Sequence, residues 1–202
     1  MILVLWLFML KACSATANIP NFDLRGLDPA TTGFLIAGES ATFFRMVVST
    51  VGDINNDGYA DLVIGAPYYD SNRGAVHVIY GGSQSSLSDI DLSSTTLDPA
   101  TTGFTIRGNA AGNFFGISVS MAGDVDNDGY DDIIIGTDSI NTAYVVYGGS
   151  TATRANINLA TTTLSPTSTG FTIEGEYASD VLGVCSEKIL EMSIMMVMLT
   201  SL

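Results

Sequence analysis

The sequence predicts an all-β chain, a partial β-propeller of tandem four-stranded antiparallel blades. Three observations carry this expectation. A phrase recurs: "LDPATTGF" at Leu27–Phe34 returns 70 residues later at Leu97–Phe104, and "LSPTSTGF" at Leu164–Phe171 is a third copy 67 residues further on. Between the copies, short apolar and β-branched runs are separated by Gly- and Ser/Thr-rich turns, and no stretch keeps a helical apolar period. The composition agrees, with 21 Gly, only 5 Pro and 47% hydrophobic residues, enough to build a core. A tandem unit of this size is one supersecondary block rather than a domain of its own.

Each of the first two copies reads as four strands. "VVSTV" and "ISVSMA" supply the first. "DLVIGA" and "DIIIGT" supply the second, apolar on both faces and therefore central or buried. "GAVHVIYG" and "TAYVVYG" are the third; "GFLIAG" and "GFTIRG" are the fourth, beyond a Ser/Thr-rich connection. Four antiparallel strands repeated in tandem describe propeller blades. The repeat places a first blade at residues 18–83, a second at 84–150 and the start of a third at 151–186.

Between the first and second strands lies an acidic decapeptide, "GDINNDGYAD" at Gly52–Asp61 and "GDVDNDGYDD" at Gly123–Asp132. Oxygen side chains fall at positions 1, 3, 5 and 9: Asp53, Asn55, Asp57 and Asp61 in one loop, Asp124, Asp126, Asp128 and Asp132 in the other. A tight loop turns positions 1, 3 and 5 toward one centre, and Gly58 or Gly129 at position 6 permits the sharp bend. The carbonyls of Tyr59 and Tyr130, at position 7, can then face inward as neutral ligands. This irregular all-oxygen set suits Ca²⁺, which takes six to eight oxygens at roughly 2.3–2.6 Å. Neither loop holds the His or Cys that zinc prefers. An EF-hand is excluded, because its position 12 needs a bidentate Glu and here is Ile64 or Ile135. A bare Asp/Asn/Gly turn is the plainer alternative. The recurrence of the same four oxygen positions argues against it, as does the repulsion among crowded carboxylates without a cation. Each loop is thus expected to staple two strands around one calcium ion.

The charge balance points the same way. Acidic residues outnumber basic ones 21 to 7, net −14, and eight Asp sit in the two loops (Asp53, Asp57, Asp61, Asp124, Asp126, Asp128, Asp131 and Asp132). A chain so acidic lacks the Lys and Arg that neutralise phosphate, so nucleic acid and anionic membranes are excluded as partners. No nucleophile motif links its Ser, His and Asp residues, and "YGGS" reads as a turn. His77 lies in a strand opposite Val76 and Val78 and is expected at the surface. Phe43, Phe44, Phe114 and Phe115 are expected in the core between blades. Cys13 and Cys185 form no CxxC pattern and read as inert thiols.

The stretch "FFGISVSMAGDVDNDGYDDIIIG" (Phe114–Gly136), followed by "YVVYGG", resembles the FG-GAP repeat of integrin alpha-chain β-propellers and related bacterial extracellular proteins. Phe115-Gly116 matches the FG and Gly65-Ala66-Pro67 the GAP, and the resemblance covers about residues 18–186. It implies a closed propeller with calcium loops on one face, and the loop positions named above match the family's calcium ligands. It also implies a non-enzymatic adhesive or scaffolding role outside the cell or on its surface, with an extracellular protein or glycan as ligand. Two motifs depart from the pattern: Phe44-Arg45 stands for the first FG, and Gly136-Thr137-Asp138 for the second GAP. A propeller needs about four blades or more. Two blades and the start of a third would need further blades of a parent propeller, or self-association, to close. Two other readings stay open: an accessory repeat region of a secreted phospholipase or polysaccharide-degrading enzyme whose catalytic domain lies elsewhere, and a non-functional gene fragment.

The two ends break the pattern. Residues 187–202 carry no acidic loop in frame, yet "LEMSIMMVMLTS" read one frame over can spell "GDVNNDGYADV", with the Asp and Gly forced by the single Met codon. This tail reads as an out-of-frame calcium loop. Residues 1–12 read either as a signal-like segment or, by the same shift, as the out-of-frame third strand of a preceding blade.

Overall fold

Runs of Val, Ile and Leu punctuated by Gly form strands here because branched side chains pack well on a pleated, half-buried surface. The structure is a computed structural model that describes residues 2–4, 33–38, 47–83, 86–138 and 140–175, the first three by backbone alone. The readings made for the tail at 187–202, for Cys13 and Cys185 and for Phe43 and Phe44 lie outside the described residues, as does all of 1–12 except Ile2–Val4. Twelve strands are described, and the one helical segment, α1 (Tyr69–Asn72), is a single turn with left-handed Asp70 and Ser71. No helix among the described residues is long and apolar enough to cross a membrane.

The chain divides into two compact units. The smaller combines Met1–Thr42 with Gly82–Thr96 and holds a three-stranded sheet, β1 (Ile2–Val4), β2 (Leu35–Ala37) and β6 (Ile90–Asp91). There β1 pairs antiparallel and β6 parallel with β2.

The larger unit holds two meanders. In the first, β3 (Val47–Thr50), β4 (Leu62–Ala66), β5 (Ala75–Ile79) and β7 (Gly103–Arg107) pair antiparallel in that order, with β11 (Ile157–Asn158) added parallel to β7. In the second, β8 (Ser118–Gly123), β9 (Asp132–Gly136), β10 (Thr142–Val146) and β12 (Gly170–Glu174) repeat the same antiparallel order. The fully apolar runs occupy β4 and β9, each flanked by strands on both sides, as their two apolar faces require. Sheet membership runs one strand later than the sequence repeat. "GFTIRG" pairs onto the sheet of the first acidic loop, and "GFTIEG" onto that of the second. The boundaries at residues 83 and 150 follow the repeat of the sequence, whereas the two antiparallel meanders span 47–107 and 118–174.

The Ser/Thr-rich connections contain short strands that sequence periodicity did not reveal. "DIDL" and "NINL" run beside the last strand of a preceding sheet in the same register, Ile36 opposite Ile90 and Ile106 opposite Ile157. The clasp is built identically both times. Asp89 Oδ1 accepts the Leu35 N–H at 2.8 Å and Asn156 Oδ1 the Thr105 N–H at 2.7 Å. Leu92 N–H then donates to Ala37 and Leu159 N–H to Arg107.

The core of the larger unit lies between its two sheets. Val63, Val76, Val78, Phe104 and Ile106 of one sheet join Ile133, Ile135 and Val146 of the other in a single buried cluster that includes Phe115. Phe115 is fully buried and meets Tyr144 edge-on at 5.3 Å between ring centroids, so the core position expected for it holds. Phe114 is only half-buried and packs against Tyr68 instead. The FG and GAP motifs touch here. A Cβ on Gly65 would lie 2.1 Å from the backbone oxygen of Gly116, so the sheets approach this closely only because Gly65 has no side chain.

His77 is a correction to the sequence reading. It is 4% exposed, because the second face of its sheet is covered as well, with Ile64 and Ile79 beside it at 0% and 2%. Period-two alternation identifies a face but cannot say that the face is open. Burial, reinforced by the Arg107 charge, lowers the His77 pKa to about 4, and its Nδ1 lies 3.0 Å from Thr105 Oγ1. The ring is neutral at physiological pH.

Phe115→Ala is expected to destabilise the chain by about 3–5 kcal/mol through the cavity it leaves. Gly65→Ala, which drives a methyl into rigid backbone, should cost on the order of 1–3 kcal/mol. Urea unfolding of the full chain in calcium measures both; an unchanged midpoint for Gly65→Ala would mean that the two sheets do not meet at this glycine.

Candidate metal centre

Both acidic loops are hairpin connections, Asp53–Asp61 between β3 and β4 and the segment from Asp124 to Asp131 between β8 and β9, with Asp132 the first residue of β9. Their backbones bend the same way. Asn56 and Gly58 are left-handed (φ 56 and 89), as are Asn127 and Gly129 (φ 59 and 91). Asn tolerates this region and Gly enters it without cost, which is why those residue types stand there.

The position-1 carboxylate organises each turn. Asp53 Oδ1 accepts the Asp57 N–H at 2.9 Å and its Oδ2 the Gly58 N–H at 2.7 Å. Asp124 does the same for Asp128 and Gly129, at 3.0 and 2.9 Å. The position-5 carboxylates accept from position 7, Tyr59 N–H to Asp57 and Tyr130 N–H to Asp128. Through these bonds positions 1, 3 and 5 gather on one side. In the second loop one oxygen each of Asp124, Asp126 and Asp128 lie within 4.8 Å of one another. Position 3 separates the two loops. Asn55 offers an oxygen to the Asp57 N–H at 3.1 Å, and its amide donates to Asp57 Oδ2 at 2.9 Å, relieving the acidic crowding. Asp126 has no such donor to offer. Burial first, then the charges of Asp128 and Asp124, hold its carboxyl above the usual range.

Position 9 is different in kind. Asp61 and Asp132 are 1% and 0% exposed. Each binds two amides from separate segments: Asp61 takes Ile54 N–H at 2.9 Å and Gly81 N–H at 2.7 Å, and Asp132 takes Val125 and Gly148 N–H, both at 2.7 Å. Burial pushes their pKa values up to about 6 and about 7, against the opposing pull of those amides. These carboxylates tie each loop to the exit of the third strand. Their donors, Gly81 and Gly148, are the first glycines of the "YGG" phrases, whose sequence signal was only that of a turn.

The donor set is oxygen throughout, and in the second loop three acidic side chains converge without a cationic partner in the loop itself. A hard divalent cation fits such a site, and the repulsion among its carboxylates is the physical reason for one. Arg154 is a counter-charge that the second loop feels. It stacks over Phe104 at 4.7 Å, and its interaction with Asp132 and Asp128 partly offsets the burial that lowers its own pKa.

Comparison with known proteins agrees with this geometry. The FG-GAP repeat family matches residues 47–79 and 115–148, each stretch running from the first strand of a sheet through its acidic loop into the third. Integrin alpha-7 of Mus musculus is 31% identical over 150 residues, 70% of this chain and 10% of that protein. Integrin alpha-V of Gallus gallus is 31% identical over 144 residues (66% and 12%), and Integrin alpha-6 of Gallus gallus 37% over 100 residues (50% and 8%). The chain thus spans about a tenth of the length of these relatives. With its acidic loops on paired β-strands and its FG packed against a GAP, the chain carries two FG-GAP repeats and is similar over much of its length to integrin alpha chains.

Proposed function

We propose that this chain is a calcium-binding segment of a β-propeller in an extracellular adhesion or surface-scaffold protein, with no catalytic role of its own. The observation that carries this reading is the convergence of Asp124, Asp126 and Asp128 within 4.8 Å in a loop whose backbone course is repeated at Asp53, Asn55 and Asp57. Asp61 and Asp132 complete each ligand set at position 9, each with lone pairs left after two amide bonds, and the Tyr59 and Tyr130 carbonyls add neutral oxygens. Calcium bound there supplies the positive charge that these carboxylates otherwise lack. The extracellular assignment rests on the likeness to integrin alpha chains and on the calcium-rich medium such loops need. The two meanders are read as blades, and further blades of a parent propeller, or a second copy of the chain, would continue their packing. The ligand is an extracellular protein or glycan bound by the loops of the closed propeller.

Calcium titration of the full chain followed by calorimetry should resolve about two sites in the micromolar to millimolar range. Asp57→Ala should remove one and Asp128→Ala the other, each reducing the rise in melting temperature that calcium produces. Saturating calcium with neither heat nor a melting shift would defeat the reading.

The buried position-9 carboxylates set the pH behaviour. Their folded pKa values, about 6 and about 7, lie above the unfolded value near 3.8. Their contribution to stability is therefore fully present below about pH 4 and is lost as pH rises through 6 to 7. In EDTA the chain should lose stability between pH 5 and pH 8, whereas in millimolar calcium, which favours the ionised form, this loss should flatten or reverse. Parallel pH profiles with and without calcium would contradict a metal at position 9.

A further inference from the structure

We propose that Asp131, which stands outside the ligand pattern, couples the two loops, so that a cation in the second strengthens binding in the first. The inference rests on the calcium reading above. Asp131 occupies position 8 of the second loop, between the ligand carbonyl of Tyr130 and the buried carboxylate of Asp132. It reaches across to position 1 of the first loop. Its Oδ2 accepts the Asp53 N–H at 2.8 Å, and its own N–H donates to the Asp53 carbonyl at 3.2 Å. One residue of the second loop thus holds both backbone groups of Asp53, whose side chain in turn organises the first loop through Asp57 and Gly58.

Two further features are built around this contact. Gly52, left-handed at φ +73, leaves the space that the Asp131 carboxylate fills, since a Cβ there would lie 2.0 Å from Oδ2. A second link runs parallel: Gly148 donates to Asp132, and the next residue, Gly149, donates to the carbonyl of Ile54 at 2.9 Å. The seat is specific to the second loop, because position 8 of the first is Ala60, which has no acceptor to offer.

The coupling follows from order. Closing the second loop on a cation fixes the segment from Asp128 to Asp132, and Asp131 with it. The backbone of Asp53 is then positioned in advance, and the first site binds without bearing that ordering cost again. Linkage makes the effect reciprocal. Asp131 is a positioning residue here: it acts on the first site through Asp53.

The test is a calcium titration of the isotope-labelled full chain followed by NMR, with the Gly58 amide reporting the first loop and the Gly129 amide the second. Disabling the second loop by Asp128→Ala should weaken the first by roughly 5- to 20-fold, within the range usual for linked sites. Asp57→Ala should weaken the second by the same factor. In an Asp131→Ala background both factors should fall to about 1, and Asp131→Asn, which keeps an acceptor oxygen, should restore most of the coupling. Asp131→Glu keeps the charge but misplaces it, and should behave as Asp131→Ala does; it serves as the decisive variant if the alanine form does not fold. First-loop midpoints indifferent to Asp128→Ala would overturn the coupling, and coupling that survives both Asp131→Ala and Asp131→Glu would overturn the role of Asp131. If neither amide responds to calcium, the metal reading itself fails, a result distinct from both.

Discussion

Two buried carboxylates hold this architecture in place. Asp61 and Asp132 each accept two backbone N–H groups, one from the loop's own second residue and one from the glycine that ends the third strand. A charge taken out of water this completely is costly unless it is well bonded. Two amides at 2.7–2.9 Å supply part of that compensation, and the pKa values displaced toward neutrality show that they do not supply all of it. The remaining deficit is what a bound cation would meet. The same groups that would hold a cation also lock the loop to its sheet, so under the proposed function metal affinity and sheet stability rest on one set of contacts.

From that anchor the packing follows in both directions. Toward the core, Val51 just before the first loop and Ile54 within it are buried in one cluster with Phe104 and Ile133, so the loop is part of the larger unit's core rather than an appendage to it. At the far end of the strands, Gly65 of the GAP admits Gly116 of the next FG, and Gly74 bridges to Phe115. The FG and GAP motifs are therefore the two halves of one contact between successive sheets, and Gly65, Gly74 and Gly116 all stand where an added Cβ would come within 3 Å of a neighbouring atom. In the second sheet Gly136 is kept while Thr137 and Asp138 replace the rest of the GAP, and its carbonyl accepts the Gly116 N–H at 3.0 Å.

Much of this was legible in the sequence, for definite reasons. The all-β class, the central place of the apolar runs and the turn in each acidic loop follow from period, residue type and glycine position, all local properties. What escaped was non-local. The strands Ile90–Asp91 and Ile157–Asn158 are two residues long, too short for any period to show. The last strand of each meander belongs to the sheet before the Ser/Thr-rich connection, a pairing that the 70-residue repeat does not reveal. His77 was expected outside because alternation cannot tell a covered face from an open one. In the loops, the oxygen pattern identified the acidic positions but not the amides of Gly81 and Gly148 that occupy position 9, nor Asp131, whose partner Asp53 lies 78 residues away.

The most direct test of the account is crystal diffraction from the full chain grown in calcium, with anomalous differences collected at long wavelength. The account predicts two calcium peaks, one inside each acidic loop, each ringed by oxygens at about 2.3–2.6 Å. They should include a carboxylate oxygen of Asp61 in one loop and of Asp132 in the other, with the glycine amide bonds retained. Loops free of anomalous density, with Asp61 and Asp132 protonated on the same amides, would contradict it.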